Sequence, residues 1–432
     1  MIKITSVVTS LFIGASVMAS SPKFHQGRLI VKIKEGSQLP SSHLIKSSMH
    51  LFKSTYILRT TNVLELEREL RGLESITSVN KDFYANREEL PQSVNPHKVA
   101  AGFNKGSGPF NDPKVSKLWG FKPSKNKGMN VFAAYENYDN SQSEKIIVAV
   151  VDTGVDYNHE DLKDVMWTNP GEIAGNGIDD DGNGYIDDIH GINTLVRDSE
   201  GKATMDIMDG HSHGTHVSGT IAAKQNNGLG IAGVASNVEI MGIRTVPNVS
   251  DETDVDVAEA FIYAAKNGAR VINCSFGKSH NEGGDLVKEV IDFIGTEYGV
   301  LVVAASGNSS QNIDKRLTYP ASFESENLLV VASNSKWGMS YFSNYGTKNV
   351  DVIAPGSSIY STVPGNRYSS MSGTSMASPN TAGVAAEILS RNPNLSALQL
   401  KNIIMDTVSK SRSFSTKVAS GGLVDLASAV NQ

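Results

Sequence analysis

One cysteine, Cys274, stands alone in a chain of 432 residues. No intrachain disulfide is possible, so neither a disulfide framework nor dithiol redox chemistry is the theme. Histidine is missing from the last 152 residues, because all ten lie at or before His280. Any imidazole chemistry in the C-terminal third must therefore import its ring from earlier in the chain. Beyond the N-terminus no run reaches the roughly 18 apolar residues that a spanning helix needs. No repeat or low-complexity tract interrupts an ordinary apolar content of 39%. A soluble mature protein without membrane insertion is expected, long enough for two or three domains.

What is present is ordered along the chain. Lys3 precedes a mostly apolar stretch over residues 4–18, and Val17-Met18-Ala19 offers a cleavage point. Residues 1–19 thus read as a secretory signal peptide, and the protein as secreted, to a periplasm or outside the cell. No cysteine follows the apolar run, which excludes lipid attachment there. Residues 22–110 carry 13 Lys and Arg against 8 Asp and Glu, whereas residues 111–432 carry 25 against 37. A basic segment ahead of an acidic body is expected to dock on it. The acidic body also argues against nucleic acid as a partner.

Between Gly27 and Asn86 a small α+β unit is expected. Strands are read at Arg28–Lys34, Ser54–Arg59 and Ile76–Val79, with a helix over Val63–Leu73 capped by Asn62. Some 60 residues are marginal for independent stability, so the unit should lean on the larger domain. Residues 88–110 mix Pro, Gly, Ser and Asn without periodicity and read as an exposed linker; the maturation site is placed within 96–110. From Asn111 the pattern alternates strand and helix. Short apolar runs at Ile146–Val151, Val238–Ile243, Ala269–Asn273, Val300–Ala305, Leu328–Ala332 and Val350–Ile353 suit buried parallel strands. Helices are expected at Thr215–Gln225, Val255–Asn267, Asp285–Tyr298, Thr381–Arg391, Ser396–Val408 and Leu423–Val430. The fold class is α/β, a doubly wound, mostly parallel sheet with helices on both faces, preceded by the small α+β domain. Chemistry in such sheets lies beyond the carboxyl ends of the strands.

Four groups there can form a hydrolytic site. Ser375, in Met371-Ser372-Gly373-Thr374-Ser375-Met376-Ala377-Ser378-Pro379, has small neighbours and a helix start beside it, as a nucleophile attacking a carbonyl needs. His211, His213 and His216 cluster at another helix start, and Asp152 ends a strand, where a carboxylate can orient an imidazole. Asn308 ends a further strand and can donate an amide N–H to an oxyanion. Each reading has a plain alternative as an N-cap, a surface histidine or a turn residue.

Val150-Val151-Asp152-Thr153-Gly154-Val155-Asp156, His213-Gly214-Thr215-His216-Val217-Ser218-Gly219-Thr220, Ala304-Ala305-Ser306-Gly307-Asn308 and Gly373-Thr374-Ser375-Met376-Ala377-Ser378-Pro379 resemble the four blocks of the subtilisin-like serine proteases, in the family's order. The resemblance runs over roughly residues 111–432. It implies a serine endopeptidase in which Asp152 orients His213, His213 is the general base, Ser375 the nucleophile and Asn308 part of the oxyanion hole. One position departs: the family usually has histidine where this chain has Asn380. Ser275, Phe276 and Gly277, with Ala305, Ser306 and Gly307 opposite, match the specificity pocket, whose small residues favour apolar or aromatic side chains before the cut. The resemblance further makes residues 22–95 an inhibitory, folding-assisting propeptide, residues 111–432 a catalytic domain that is a monomer, and polypeptides its substrates.

Calcium is the expected cofactor, at two places. Asp179, Asp181, Asn183, Tyr185, Asp187 and Asp188 follow the first half of a calcium loop, although His190 stands where a bidentate glutamate would close it. By resemblance, Asp161, Gln225, Asn227, Leu229 and Ile231 form a second site, with Asp112 added. Two other functions compete. One is an inactive secreted binding protein on the same fold. The other is a lipase or esterase, since Gly210-His211-Ser212-His213-Gly214 fits G-x-S-x-G with Ser212 as nucleophile, but only His216 and His280 follow it.

Overall fold

The computed structural model describes residues 24–87, 89–98, 108–136, 143–199 and 201–432. The expected signal peptide lies outside the described residues, as do residues 99–107 of the expected linker. The N-terminal unit consists of β1 (Phe24–Ile33), β2 (Ile45–Phe52), β3 (Thr55–Thr60), α1 (Val63–Leu70) and β4 (Ile76–Phe83). Its antiparallel sheet has the order β2-β3-β1-β4. Asn62 caps α1 by accepting from the Glu65 N–H at 3.2 Å. The helix stops at Leu70, short of the expected Leu73, because Arg71 turns extended and Gly72 takes φ +92°.

The two faces of this small sheet are used differently. Leu29, Val31, Leu58 and Val79 bury against Val63, Leu66 and Leu70 of α1. Ile30, Leu51, Phe52 and Ile57 belong instead to the core of the body. One face of the unit's sheet is therefore covered only when docked, as its size requires.

After β5 (Val94–Lys98) come α2 (Val131–Tyr135), β6 (Ile146–Asp152), β7 (Gly191–Arg197), β8 (Ala203–Thr204), α3 (His213–Ala222), β9 (Val238–Arg244) and α4 (Asp254–Lys266). Next are β10 (Ala269–Cys274), α5 (Leu286–Tyr298), β11 (Leu301–Ala305), β12 (Leu328–Ser335), β13 (Gly338–Met339) and β14 (Val352–Pro355). The chain closes with β15 (Ile359–Val363), β16 (Arg367–Met371), α6 (Thr374–Arg391), α7 (Ala397–Asp406), β17 (Ser409–Lys410), β18 (Gly422–Leu423) and α8 (Leu426–Ala429).

The central sheet runs β7-β9-β6-β10-β11-β12-β14, and every one of these neighbouring pairs is parallel. Alternate residues serve opposite faces. Val148, Val150, Val271, Leu301 and Val303 join the core under α6 and α7, whereas Ala149, Val151, Ile272, Val302 and Ala304 join the core under α4 and α5. The doubly wound α/β sheet is as expected. The order reverses beside β6, with β9 on one side and β10 on the other, which makes this edge the natural site for a ligand.

Three expectations need correction. The helix expected from Thr381 begins at Thr374, because Pro379 disguises its first turns. Pro379 has no N–H to give the Ser375 carbonyl four residues back, and the Ser275 hydroxyl donates to that oxygen instead, at 3.0 Å. The helix expected from Leu423 shrinks to α8, because Leu423 is taken by β18. Residues 94–98 of the patternless linker form a strand, β5, antiparallel to β16.

Candidate active site

Asp152 is the last residue of β6, and its main-chain oxygen accepts from the N–H groups of Thr245 and Val246 at 2.9 and 3.0 Å. Its Oδ1 accepts from the Thr153 N–H and lies 2.7 Å from Nδ1 of His213. Both side chains are buried, at 1% and 0% exposure. His213 opens α3, and Gly214 behind it is required by space. A Cβ there would stand 2.1 Å from the Gly154 carbonyl oxygen and 3.1 Å from Cβ of Asp152. No side chain fits between the strand end and the helix start, so the imidazole is held against the carboxylate.

Asp209 fixes this turn, and the sequence reading passed over it. Its Oδ1 accepts from the His211 and Ser212 N–H groups and from the Thr153 hydroxyl, and its Oδ2 from the N–H and hydroxyl of Thr215. Thr153 Oγ1 in turn accepts from the Gly214 N–H. A carboxylate capping the first turn of a helix is a recognisable signal, and Asp209-Gly210 ahead of the histidine run carried it.

Ser375 is the second residue of α6 and only 3% exposed. Asn308 reaches across from the end of β11. Its Oδ1 accepts from the Thr374 N–H at 2.8 Å and from the Thr374 hydroxyl at 3.0 Å, and Thr374 Oγ1 accepts from the Gly307 N–H. Tying down the carbonyl end of the amide sets which way its N–H groups face. Nε2 of His213 is buried without a hydrogen-bond partner, so Ser375 is not hydrogen-bonded to it in this state. Loose nucleophile–base contacts are ordinary before a substrate is engaged.

Ser375 and Asn308 line one pocket together with Ser275, Phe276, Gly277, Ala305, Gly307, Thr318 and Thr374. Thr318 was not expected there. Ser306 is not part of the lining: it is fully buried and its hydroxyl donates to the Asn344 carbonyl at 3.2 Å. The chain itself closes one side of the pocket, where Glu89 and Leu90 complete the lining. Asn380, at the departing position, donates to the Pro355 and Met376 carbonyls, which secures α6 without an imidazole.

The other histidines are committed elsewhere. His216 is fully buried, its Nε2 contacts the Ile359 carbonyl at 2.9 Å, and burial pushes its pKa down to about 3. His211 is also lowered, by burial and by His213 beside it. His280 is exposed on a loop after β10. Of the two histidines that follow the Gly210–Gly214 motif, His216 is turned to the Ile359 carbonyl and His280 lies out on its loop, so neither supports Ser212 as nucleophile. Cys274 is a buried hydrophobe whose thiol is raised by burial.

The two acidic regions differ. Glu172, Asp179 and Asp181 bring carboxylate oxygens within 4.8 Å of one another, and Asp179 Oδ1 is buried without a partner. That donor set fits a hard cation such as Ca²⁺. Glu172 went unread because it is outside the acidic run. Asn183 donates to Asp181 and Asp188; Asp187 accepts from the N–H groups of Gly175, Asn176 and Gly177; Tyr185 donates to Glu259. Those three side chains brace the loop rather than join the three clustered carboxylates. In the other region Asp112 and Asp161 are fully buried, and burial raises each to about 6. Asp112 accepts from the Asn226 and Asn227 N–H groups, and Asp161 from the Asn227 side chain and the Ile231 N–H. The Gln225 side chain donates to the Gly233 carbonyl, and the Leu229 N–H donates to Asn227.

Fold and site together define a class: a doubly wound α/β protein with carboxylate, histidine, asparagine and serine at the carboxyl edge of one parallel sheet. The chain belongs to the subtilase family, whose model matches residues 143–424. It is 32% identical over 370 residues to Subtilisin-like protease 1 of Plasmodium berghei, an alignment covering 81% of this chain and 58% of that protein. It is 38% identical over 264 residues to a thermophilic serine proteinase of a Bacillus species, covering 61% of this chain and 56% of that protein. The chain thus spans about half the length of the curated relatives it matches. Among solved structures, a protease from Pseudoalteromonas arctica superposes with a TM-score of 0.60 at 28% identity, over 75% of this chain and 99% of that one.

Proposed function

We propose that this chain is a secreted serine endopeptidase, made as a self-processing zymogen with residues 1–19 as signal peptide and the N-terminal unit as intramolecular inhibitor. One observation carries the reading: Asp152 contacts Nδ1 of a buried His213 whose Nε2 is unpartnered, while Ser375 and Asn308 line one pocket with Leu90 of the N-terminal segment. Ser375 Oγ attacks the peptide carbonyl carbon and its proton passes to His213 Nε2. Asp152, accepting from Nδ1–H, holds the tautomer and steadies the imidazolium. The oxyanion receives the Asn308 amide N–H and a free backbone N–H at the start of α6. His213 then protonates the leaving nitrogen, and water repeats the sequence on the acyl-enzyme. Leu90 in the pocket lining supports a preference for apolar residues before the cut.

Calcium has a structural part in this reading. Glu172, Asp179 and Asp181 would hold one ion, and Asp112, Asp161, Gln225, Asn227, Leu229 and Ile231 a second. Bound there, the cation offsets the repulsion and burial of carboxylates in a chain without disulfides. The test is hydrolysis of a peptide with leucine before the scissile bond. Ser375→Ala and His213→Ala should each lower kcat by about 10⁴ or more, and Asn308→Ala by about 10²–10³; both magnitudes come from serine proteases, the second from a subtilisin. Undiminished hydrolysis by Ser375→Ala would refute the reading.

A further inference from the structure

The segment that lines the pocket through Glu89 and Leu90 is held on both sides of it. Upstream, Tyr84 forms an antiparallel bridge with Thr253 and Arg87 one with Lys278, and the Ala85 N–H donates to the Glu252 carbonyl at 2.8 Å. Leu90, 5% exposed, lines the same pocket as Ser375 and Asn308, with Glu89 before it. Downstream, Gln92 Nε2 lies 2.8 Å from His211 Nε2, and β5 pairs with β16. Leu90 is the last residue of this segment in the pocket lining, and the peptide bond that follows it is Leu90–Pro91. The Pro91 ring is pressed against the residue before α6, since a Cβ on Gly373 would lie 2.8 Å from its Cγ.

Cutting there has a particular difficulty. Ser375 Oγ would bond to the Leu90 carbonyl carbon, its proton going to His213 Nε2. Collapse would then break the bond to the Pro91 nitrogen, which must accept that proton to leave as a secondary amine. This nitrogen carries no hydrogen, and the ring fixes its torsion and places Cδ where an ordinary amide has N–H. Wedged against Gly373, it cannot turn its developing lone pair freely towards the imidazole. Resting on the proposed function above, we propose that Pro91 is a brake on self-processing: it lets Leu90 sit in the site while keeping the Leu90–Pro91 bond almost uncut, so that release of the cleft depends on cleavage at another bond.

The experiment follows purified intact chain over time and identifies new N-termini by mass spectrometry, for the natural chain, Pro91→Ala and Pro91→Gly. Fragments beginning at residue 91 should appear about tenfold faster or more in both variants, at a first-order rate independent of protein concentration. They should vanish when Ser375→Ala is added. The natural chain should yield N-termini elsewhere. Two results overturn the proposal: a natural chain cut at 90–91 as fast as the variants, or variants left uncut there although processed enzyme hydrolyses a leucyl peptide. If no processed form hydrolyses that peptide, the endopeptidase reading fails first. Two substitutions, each with a thermal melt, separate loss of the brake from loss of the fold.

Discussion

The body and the N-terminal unit hold themselves together by different means. The body buries both faces of its parallel sheet in apolar cores of its own. The unit owns one small core and fastens its other side to the body with charges as well as with Phe52 and Leu51. Arg28 on β1 sits between Asp82 and Asp256, each at 2.9 Å, and Arg197 on β7 reaches Asp256 at 2.7 Å. Asp82 also accepts from the Val255 N–H in the first turn of α4. Arg87 pairs with the buried Glu252 at 3.0 Å, and Lys32 with Glu289 on α5. A buried ion pair does little for net stability but is costly to break. On the proposed zymogen reading, this design suits a part that docks in one register and later comes away, whereas apolar packing suits the part that stays.

The largest test of this contrast is Arg28→Ala in the uncut Ser375→Ala chain. Removing the shared cation leaves Asp82 and Asp256 buried on either side of a gap, costing about 3 kcal/mol. Urea unfolding should show the N-terminal unit releasing well before the body, in place of one joint transition. An unchanged profile would mean that apolar contacts alone carry the docking.

Chelation tests the other half of the comparison. The acidic loops belong to the body, so removing Ca²⁺ should lower the body's melting temperature by several degrees, about 1–2 kcal/mol for a domain of this size. Docking of the unit should change little. A melt unaffected by chelator would remove calcium from the account.

The smallest effect expected is on pH. Burial pushes Asp82 and Glu252 up to about 7, although Arg28 and Arg87 pull the other way. Groups raised in this way stabilise the docked state fully at pH below their ordinary values, and that stabilisation is lost as pH rises to about 7. His25, lowered to about 4 by burial and by Arg28, works in the opposite sense, its share being lost as pH falls below 6.5. Asp256 is raised by burial but held low overall by Arg28 and Arg197, and matters only in acid. With two carboxylates against one imidazole, the urea midpoint of the docked unit should fall between pH 5 and 7, then level off. A midpoint that rises over this range would contradict the assignment.

Much of this was legible in the sequence, for identifiable reasons. Buried parallel strands show as continuous apolar runs, so β6, β9, β10, β11 and β12 were placed to within a few residues. Asp152, His213, Asn308 and Ser375 stand at strand ends and helix starts, where local pattern and the four blocks coincide. What escaped was set by partners distant in sequence. β5 exists because β16 pairs with it, and Leu90 is buried because it packs into the body's apolar core. Neither fact leaves a periodic trace in residues 88–110. Pro379 hid the start of α6 for the opposite reason: a local rule held, and a tertiary hydrogen bond from Ser275 satisfied what the proline left open. Glu172 acts through loop geometry that composition does not encode, whereas Asp209 did leave a capping signal ahead of the histidine run.

The central claim is that His213 makes Ser375 nucleophilic, and a fluorophosphonate probe followed by peptide mass spectrometry tests it most directly. In processed enzyme the adduct should fall on Ser375, and His213→Ala should abolish it. An adduct on Ser212, or labelling of Ser375 that survives His213→Ala undiminished, would contradict the account.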